Sequence, residues 1–190
     1  MAGKRDKAHD VCPWYMAYLF DNPLRPLIHN PVRILGEFVK PGMTVLDIGC
    51  GMGFFSLGMA KMVGPEGKVL SLDLQDQMLR VLKRRARRRG LSGIIDVRLM
   101  TGPGFPVDDP VDFALCFWMV HEVPDQAVFF RELGQVLKPG KNTLIAEPGM
   151  HIEKAALEKT VHIAGAQGFS VAHWPKIRMS HAVVLKRIED

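Results

Sequence analysis

Apolar positions recur along the chain with two alternating periods. Short apolar runs at Met43–Ile48, Lys68–Leu72, Ile94–Met100, Val111–Phe117 and Asn142–Ala146 read as strands buried on both faces. Between them, Phe54–Val63, Gln75–Arg89, Gln126–Leu137 and Ile152–Ala166 carry apolar residues at three- and four-residue spacing, the stripe of an amphipathic helix. A last pair, around Ser170–Trp174 and Ala182–Lys186, reads as antiparallel. Helices spaced between apolar strands specify βαβ units. The pattern predicts a doubly wound α/β domain on a seven-stranded sheet, mostly parallel with a C-terminal antiparallel strand.

Ahead of this pattern, Asn30 is a good N-cap, Pro31 suits a first helical position, and Lys40-Pro41-Gly42 stops a helix over Pro31–Val39. Residues 1–42 therefore read as an N-terminal helical cap and residues 43–190 as the α/β domain, together one globular unit. Within the cap, Trp14 to Phe20 is rich in aromatic residues and reads as a short helix. It is either a lid that closes over a ligand or an anchor that packs the cap onto the sheet. Lys138-Pro139-Gly140 repeats the earlier stop, but the flanking sequences differ and no internal repeat follows.

Composition adds exclusions. At 190 residues the chain is one domain in length, and 47% hydrophobic with 24% charged residues rules out a disordered or coiled-coil chain. The longest apolar run, Phe113–Val120, has 8 residues, which fits a buried strand and not a membrane span. Three cysteines imply no disulfide framework, and the polar stretch Met1–Asp10 lacks a signal-peptide core. The expectation is a soluble, cytoplasmic protein. Much of the net charge of +5 gathers in Lys83–Arg89, where Met78, Leu79, Leu82 and Ala86 keep one helix face apolar. The cations then form either a solvated outer face near the helix C-terminus or a patch for RNA or acidic lipid. No aromatic residues interleave them as stacking platforms.

The most specific chemistry lies in Asp47-Ile48-Gly49-Cys50-Gly51-Met52-Gly53-Phe54, where a strand runs through a glycine-rich turn directly into a helix. Glycines at 49, 51 and 53 clear one edge of the turn, so that a ligand can lie against the backbone. A dinucleotide fingerprint requires a small residue at the sixth position; counted from Gly49 that position is Phe54, and counted from Gly51 it is Ser56. Asp73 closes the next strand, 22 residues after Gly51, at the spacing that delivers a carboxylate to ribose hydroxyls.

Together these elements resemble the class I S-adenosylmethionine-dependent methyltransferases, with a Rossmann-like fold, over residues 43–147. The likeness extends to Leu137-Lys138-Pro139-Gly140 before the fifth strand and to His121-Glu122-Val123-Pro124-Asp125 after the fourth. It implies S-adenosylmethionine as cofactor, with S-adenosylhomocysteine as product. The methionine moiety would lie beside Asp47, Gly49 and Gly51, the ribose on Asp73, and Leu74 against adenine; Cys50, Gly53 and Phe117 complete the expected donor site. The family usually offers adenine an acid after the third strand. Here that stretch is Leu99-Met100-Thr101-Gly102-Pro103-Gly104, without a carboxylate, so Thr101 and Gly102 are expected in its place. No residue is assigned to a metal.

Methyl transfer is an in-line displacement, and alignment alone can supply roughly 7–11 kcal/mol. His121, a few residues after the fourth strand, is the candidate base by position and chemistry; the competing reading is a residue that shapes the turn. Glu122 and Glu147 stand behind it, whereas His162, His173 and His181 receive no role. The chain lacks the Asn/Asp-Pro-Pro-aromatic sequence of amino-methylating DNA enzymes, and its short cap leaves little room for docking a macromolecule. The expected partner is a small-molecule methyl acceptor. Open alternatives are an RNA methyltransferase using the arginine-rich helix and a non-catalytic cofactor-binding module. A third, methylation of a thiolate-bound metalloid, would draw on Cys12 and Cys116.

Overall fold

The computed structural model describes residues 25–189. The aromatic stretch around Trp14–Phe20, with its expected lid over residues 9–20, and Cys12 lie outside them. Two short helices, α1 (Arg25–Ile28) and α2 (Pro31–Leu35), lead into a strand-helix alternation. It runs β1 (Thr44–Ile48), α3 (Phe54–Val63), β2 (Lys68–Asp73), α4 (Asp76–Arg88), β3 (Ile95–Leu99), β4 (Val111–Phe117), a 3-10 turn (Val120–Glu122) and α5 (Gln126–Val136). It ends with β5 (Leu137–Pro148), α6 (Lys154–Gly165), β6 (Phe169–His173) and β7 (Ser180–Arg187). The strands form one seven-stranded sheet in the order β3-β2-β1-β4-β5-β7-β6. β7 lies antiparallel to both of its neighbours, and the other pairings are parallel. The doubly wound, mostly parallel architecture expected from the pattern is the one present.

Burial explains why this sequence forms these elements. Val45 and Val69 pack on one side of the sheet with Met59, Val63 and Leu82 from α3 and α4. Leu46, Leu70 and Ile145 pack on the other with Phe130 and Leu133 from α5 and Leu157 from α6. A strand covered by helices on both faces must be apolar throughout, as read. Capping is local: the Asn30 side chain accepts from the N–H groups of Val32 and Arg33, and Asp125 accepts from Val128.

Two boundaries differ from the sequence reading by four residues or more. Helix α2 stops at Leu35 instead of Val39. Gly36 is a poor helix former, and past it Phe38 turns inward to stack on Phe113 at 5.4 Å while Val39 is buried. Strand β5 begins at Leu137, within the stretch read as a helix stop. There Leu137 pairs with Val111, and Lys138 Nζ meets Asp112 Oδ1 at 2.7 Å, across a register shift between Val111 and Phe113. That ion pair extends β5 five residues earlier than the apolar pattern suggests.

Candidate functional site

Parallel sheets expose ligand sites at the carboxyl ends of their strands, where the order reverses about the first strand. Here β1 lies between β2 and β4, and the ends of these three strands line a cavity of about 480 Å³. Its floor is the turn after β1. Gly49, Gly51 and Gly53 all have left-handed backbones, with φ of 67°, 54° and 83°. They differ in what surrounds them. A Cβ on Gly51 would meet nothing within 4 Å, so the backbone there faces open space on the cavity floor. A Cβ on Gly53 would stand 2.1 Å from Leu82 Cδ1, so this glycine admits the close approach of α3 and α4 and is not on the cavity wall.

Two buried carboxylates flank the turn. Asp47, 3% exposed, accepts a hydrogen bond from Ser56 Oγ at 2.5 Å. Burial pushes its carboxyl up to about 7; the Asp73 charge adds to this, while the Ser56 bond and the Arg25 charge oppose it. Asp73, 7% exposed, accepts from Gly51 N–H at 2.8 Å with one oxygen and from Gln75 N–H at 2.8 Å with the other. Burial raises it too, held back by these backbone bonds. Two partly desolvated carboxylates on one wall favour a cationic ligand that also carries hydroxyl donors. Leu74, 57% exposed, and Met100 offer apolar surface beside Asp73 for a flat ring.

The opposite wall comes from β4 and the turn that follows it, and apart from Glu122 it is apolar. Phe117 ends the strand, and Trp118 takes the left-handed conformation at φ 61°, costly for a bulky residue. Its N–H donates to Ala146 carbonyl at 2.7 Å, and its indole Nε1 donates to Ser180 Oγ at 2.9 Å. The Arg25 guanidinium lies 4.3 Å from the Phe54 ring centre and 5.9 Å from that of Trp118. Met119, Val123 and Phe129 extend the apolar wall.

The family described as "Methyltransferase domain" matches residues 39–178. The chain belongs to the class I S-adenosylmethionine-dependent methyltransferases. A solved S-adenosylmethionine-dependent methyltransferase from Aquifex aeolicus superposes with a TM-score of 0.83 at 27% identity, over 94% of this chain and 100% of that one. Demethylmenaquinone methyltransferase from Geobacillus stearothermophilus is 34% identical over 113 residues, 57% of this chain and 47% of the relative. A 2-phytyl-1,4-naphtoquinone methyltransferase from Synechococcus elongatus is 36% identical over 109 residues, again 57% of this chain and 47% of the relative. The chain thus spans about half the length of the curated relatives it matches.

S-adenosylmethionine is the cofactor of this methyltransferase family, and the cavity fits it: open backbone at Gly51, paired carboxylates for a cation, an exposed leucine beside the strand-ending acid. Of the donor residues expected from the sequence, Asp47, Gly49, Cys50, Gly51, Asp73, Leu74 and Phe117 line this one cavity. Gly53 does not, for the packing reason given. Thr101 and Gly102 do not either: both are exposed and off the wall, where Met100 stands instead. Beyond Met100 the loop is drawn aside, because Arg98 donates to the Pro106 carbonyl at 2.7 Å and to Asp108 at 2.6 Å.

His121 needs a similar correction. Its ring is not on the cavity wall; Glu122, the next residue, is. The imidazole turns toward the end of β5, where Nδ1 lies 2.5 Å from Glu147 Oε2. Among the lining residues that sequence reading missed are Arg25, Trp118 and Met119. Only the apolar run through Val120 hinted at the last two.

The thiols are poorly placed for a metalloid. Cys50 packs in the core on one side of the sheet and Cys116 in the core on the other, and burial raises both thiols above their ordinary value. Among the described residues, no group of His, Cys or carboxylate side chains is placed to hold a metal, and no helix is long and apolar enough to cross a membrane.

Proposed function

We propose that the protein transfers a methyl group from S-adenosylmethionine to a small, apolar, ring-bearing acceptor. Asp47, Gly49, Cys50, Gly51, Asp73, Leu74 and Phe117 hold the donor. The observation that carries this reading is the asymmetry of the cavity: carboxylates and open backbone on one wall, Trp118, Met119, Val123 and Phe129 on the other. A charged sulfonium fits the first wall and a flat apolar acceptor the second. The quinone acceptors named for the relatives at 34% and 36% identity support an acceptor of this kind. The enzyme acts in the cytoplasm.

The cationic helix face favours no RNA acceptor. Lys83, Arg84, Arg87 and Arg88 are exposed, and none of them lines the cavity. Incubation with methyl-labelled donor and a fractionated cell extract tests the proposal. Label in small apolar molecules is the expected result; label in RNA or protein, or none in any fraction, contradicts it.

A further inference from the structure

One group of ionisable side chains beside the cavity has no part in holding the donor: Glu122, His121 and Glu147, at the carboxyl ends of β4 and β5. Glu147 is buried, its side chain 3% exposed, and both of its oxygens face His121. Oε1 accepts from the His121 backbone N–H at 3.0 Å, and Oε2 lies 2.5 Å from ring Nδ1. A carboxylate at Nδ1 fixes the proton on that nitrogen and leaves Nε2 as the basic one. Nε2 lies 3.9 Å from Glu122 Oε1, and Glu122 forms part of the cavity wall. On the other side, the exposed His151 ring stands 5.6 Å from that of His121. His181 of β7 is the cross-strand partner of Glu147. The three side chains Glu122, His121 and His151 therefore run from the cavity to solvent, with Glu147 underneath as the fixed charge.

We propose that Glu122 takes the proton of the methyl acceptor and that His121, positioned by Glu147, carries it away toward solvent. The substrate class follows: acceptors that lose a proton when methylated, such as hydroxylated or C–H-acidic rings, and not thioethers or tertiary amines. This rests on the methyltransferase reading. In the step, an electron pair on the acceptor forms the new bond to the methyl carbon as the bond from that carbon to the sulfonium breaks, its pair returning to sulfur. The acceptor's proton passes to the Glu122 carboxylate, then to Nε2 of His121, then to water. Burial by itself would lower His121; the Glu147 bond and charge, followed by the Glu122 charge, outweigh it and hold the imidazole above its ordinary value. That makes it a stronger proton acceptor than a free histidine.

The test uses the full chain, the variants Glu122→Gln and Glu147→Gln, and two acceptor probes with methyl-labelled donor. One probe is 1,4-dihydroxynaphthalene kept reduced, which sheds a proton on methylation; the other is tetrahydrothiophene, which does not. Label should enter the first and not the second. Glu122→Gln should lower the rate about 10²–10⁴-fold, with calorimetric affinity for S-adenosylmethionine within about twofold of the parent. In Glu147→Gln, nitrogen-15 NMR should show His121 titrating at lower pH with mixed tautomers, and the acid limb of the rate profile should move down with it. Glu147→Asp should restore both in part. An unchanged His121 titration in Glu147→Gln, full rate in Glu122→Gln, or label in tetrahydrothiophene and not in the diol overturns the relay and the acceptor class. A parent protein that fails to bind S-adenosylmethionine instead overturns the methyltransferase reading beneath them.

Discussion

Replacing Asp47 by Asn removes a charge that the native state tolerates poorly and that, in the proposed function, the donor requires. The wild-type carboxyl is raised from 3.8 to about 7, chiefly by burial. The native state therefore keeps a proton that the unfolded chain releases, and its stability falls as pH rises from about 4 to about 7. Above pH 7 that gap corresponds to about 4 kcal/mol. Asn keeps the Ser56 hydrogen bond but buries an amide without its full set of partners, which costs about 1–3 kcal/mol. A net gain of about 2 kcal/mol remains at pH 8, or about 4–8 °C in Tm for a chain of this size. At pH 4.5 Asp47 stays protonated in the folded protein while the unfolded chain is already mostly ionised; the gap there is only about 1 kcal/mol, which the cost of the buried amide offsets, and the gain disappears. Calorimetry should show the opposite trend for the donor, with affinity for S-adenosylmethionine about tenfold to a hundredfold weaker, since each 1.4 kcal/mol is tenfold. Melting curves at the two pH values, without ligand, decide the matter. A variant no more stable than wild type at pH 8, or equally stabilised at both pH values, would mean that the buried Asp47 charge does not destabilise the native state.

Ser56→Ala takes away the hydroxyl that donates to Asp47; S-adenosylmethionine affinity at pH 7 should fall several-fold and recover by pH 9, as measured by calorimetry. Gly53→Ala places a Cβ 2.1 Å from Leu82 Cδ1 at a φ of 83° and should lower stability by about 2–3 kcal/mol in denaturant melts, consistent with overpacking and strain. Changing Lys83, Arg84, Arg87 and Arg88 together to Gln should leave donor affinity and Tm nearly unchanged, since these side chains are exposed; a lost activity would point to a charged partner. NAD should show no binding by calorimetry, because Phe54 stands where the dinucleotide fold needs a small residue.

How much of this could be read from the sequence depended on whether the determinant was local. The β1 turn and the Asp73 strand end were legible because their chemistry lies within a few consecutive residues. Gly53 carried the right signal for the wrong reason: its position demands glycine, but Leu82 makes the demand, not the ligand. Thr101 and Gly102 failed because sequence position along β3 does not say which way the chain leaves the sheet; the Arg98 bonds to Pro106 and Asp108 decide that. His121 was legible only as a position after the fourth strand; its direction is set by Glu147, 26 residues away in sequence. Trp118 was invisible for a different reason. No composition rule places a tryptophan at φ 61°, and its pose depends on Ser180, 62 residues on.

The central claim is that S-adenosylmethionine sits on the Gly49–Gly51 turn with its ribose at Asp73. Asp73→Asn disturbs the turn less than Ala, since its one amide oxygen still accepts from one of the N–H groups of Gly51 and Gln75, both of which Ala would leave without their acceptor. Titrating S-adenosylmethionine into both proteins by calorimetry should show binding to the parent and about tenfold to a hundredfold weaker binding to the variant, with both proteins folded. Equal affinity in the two proteins, with the variant folded, would contradict the account.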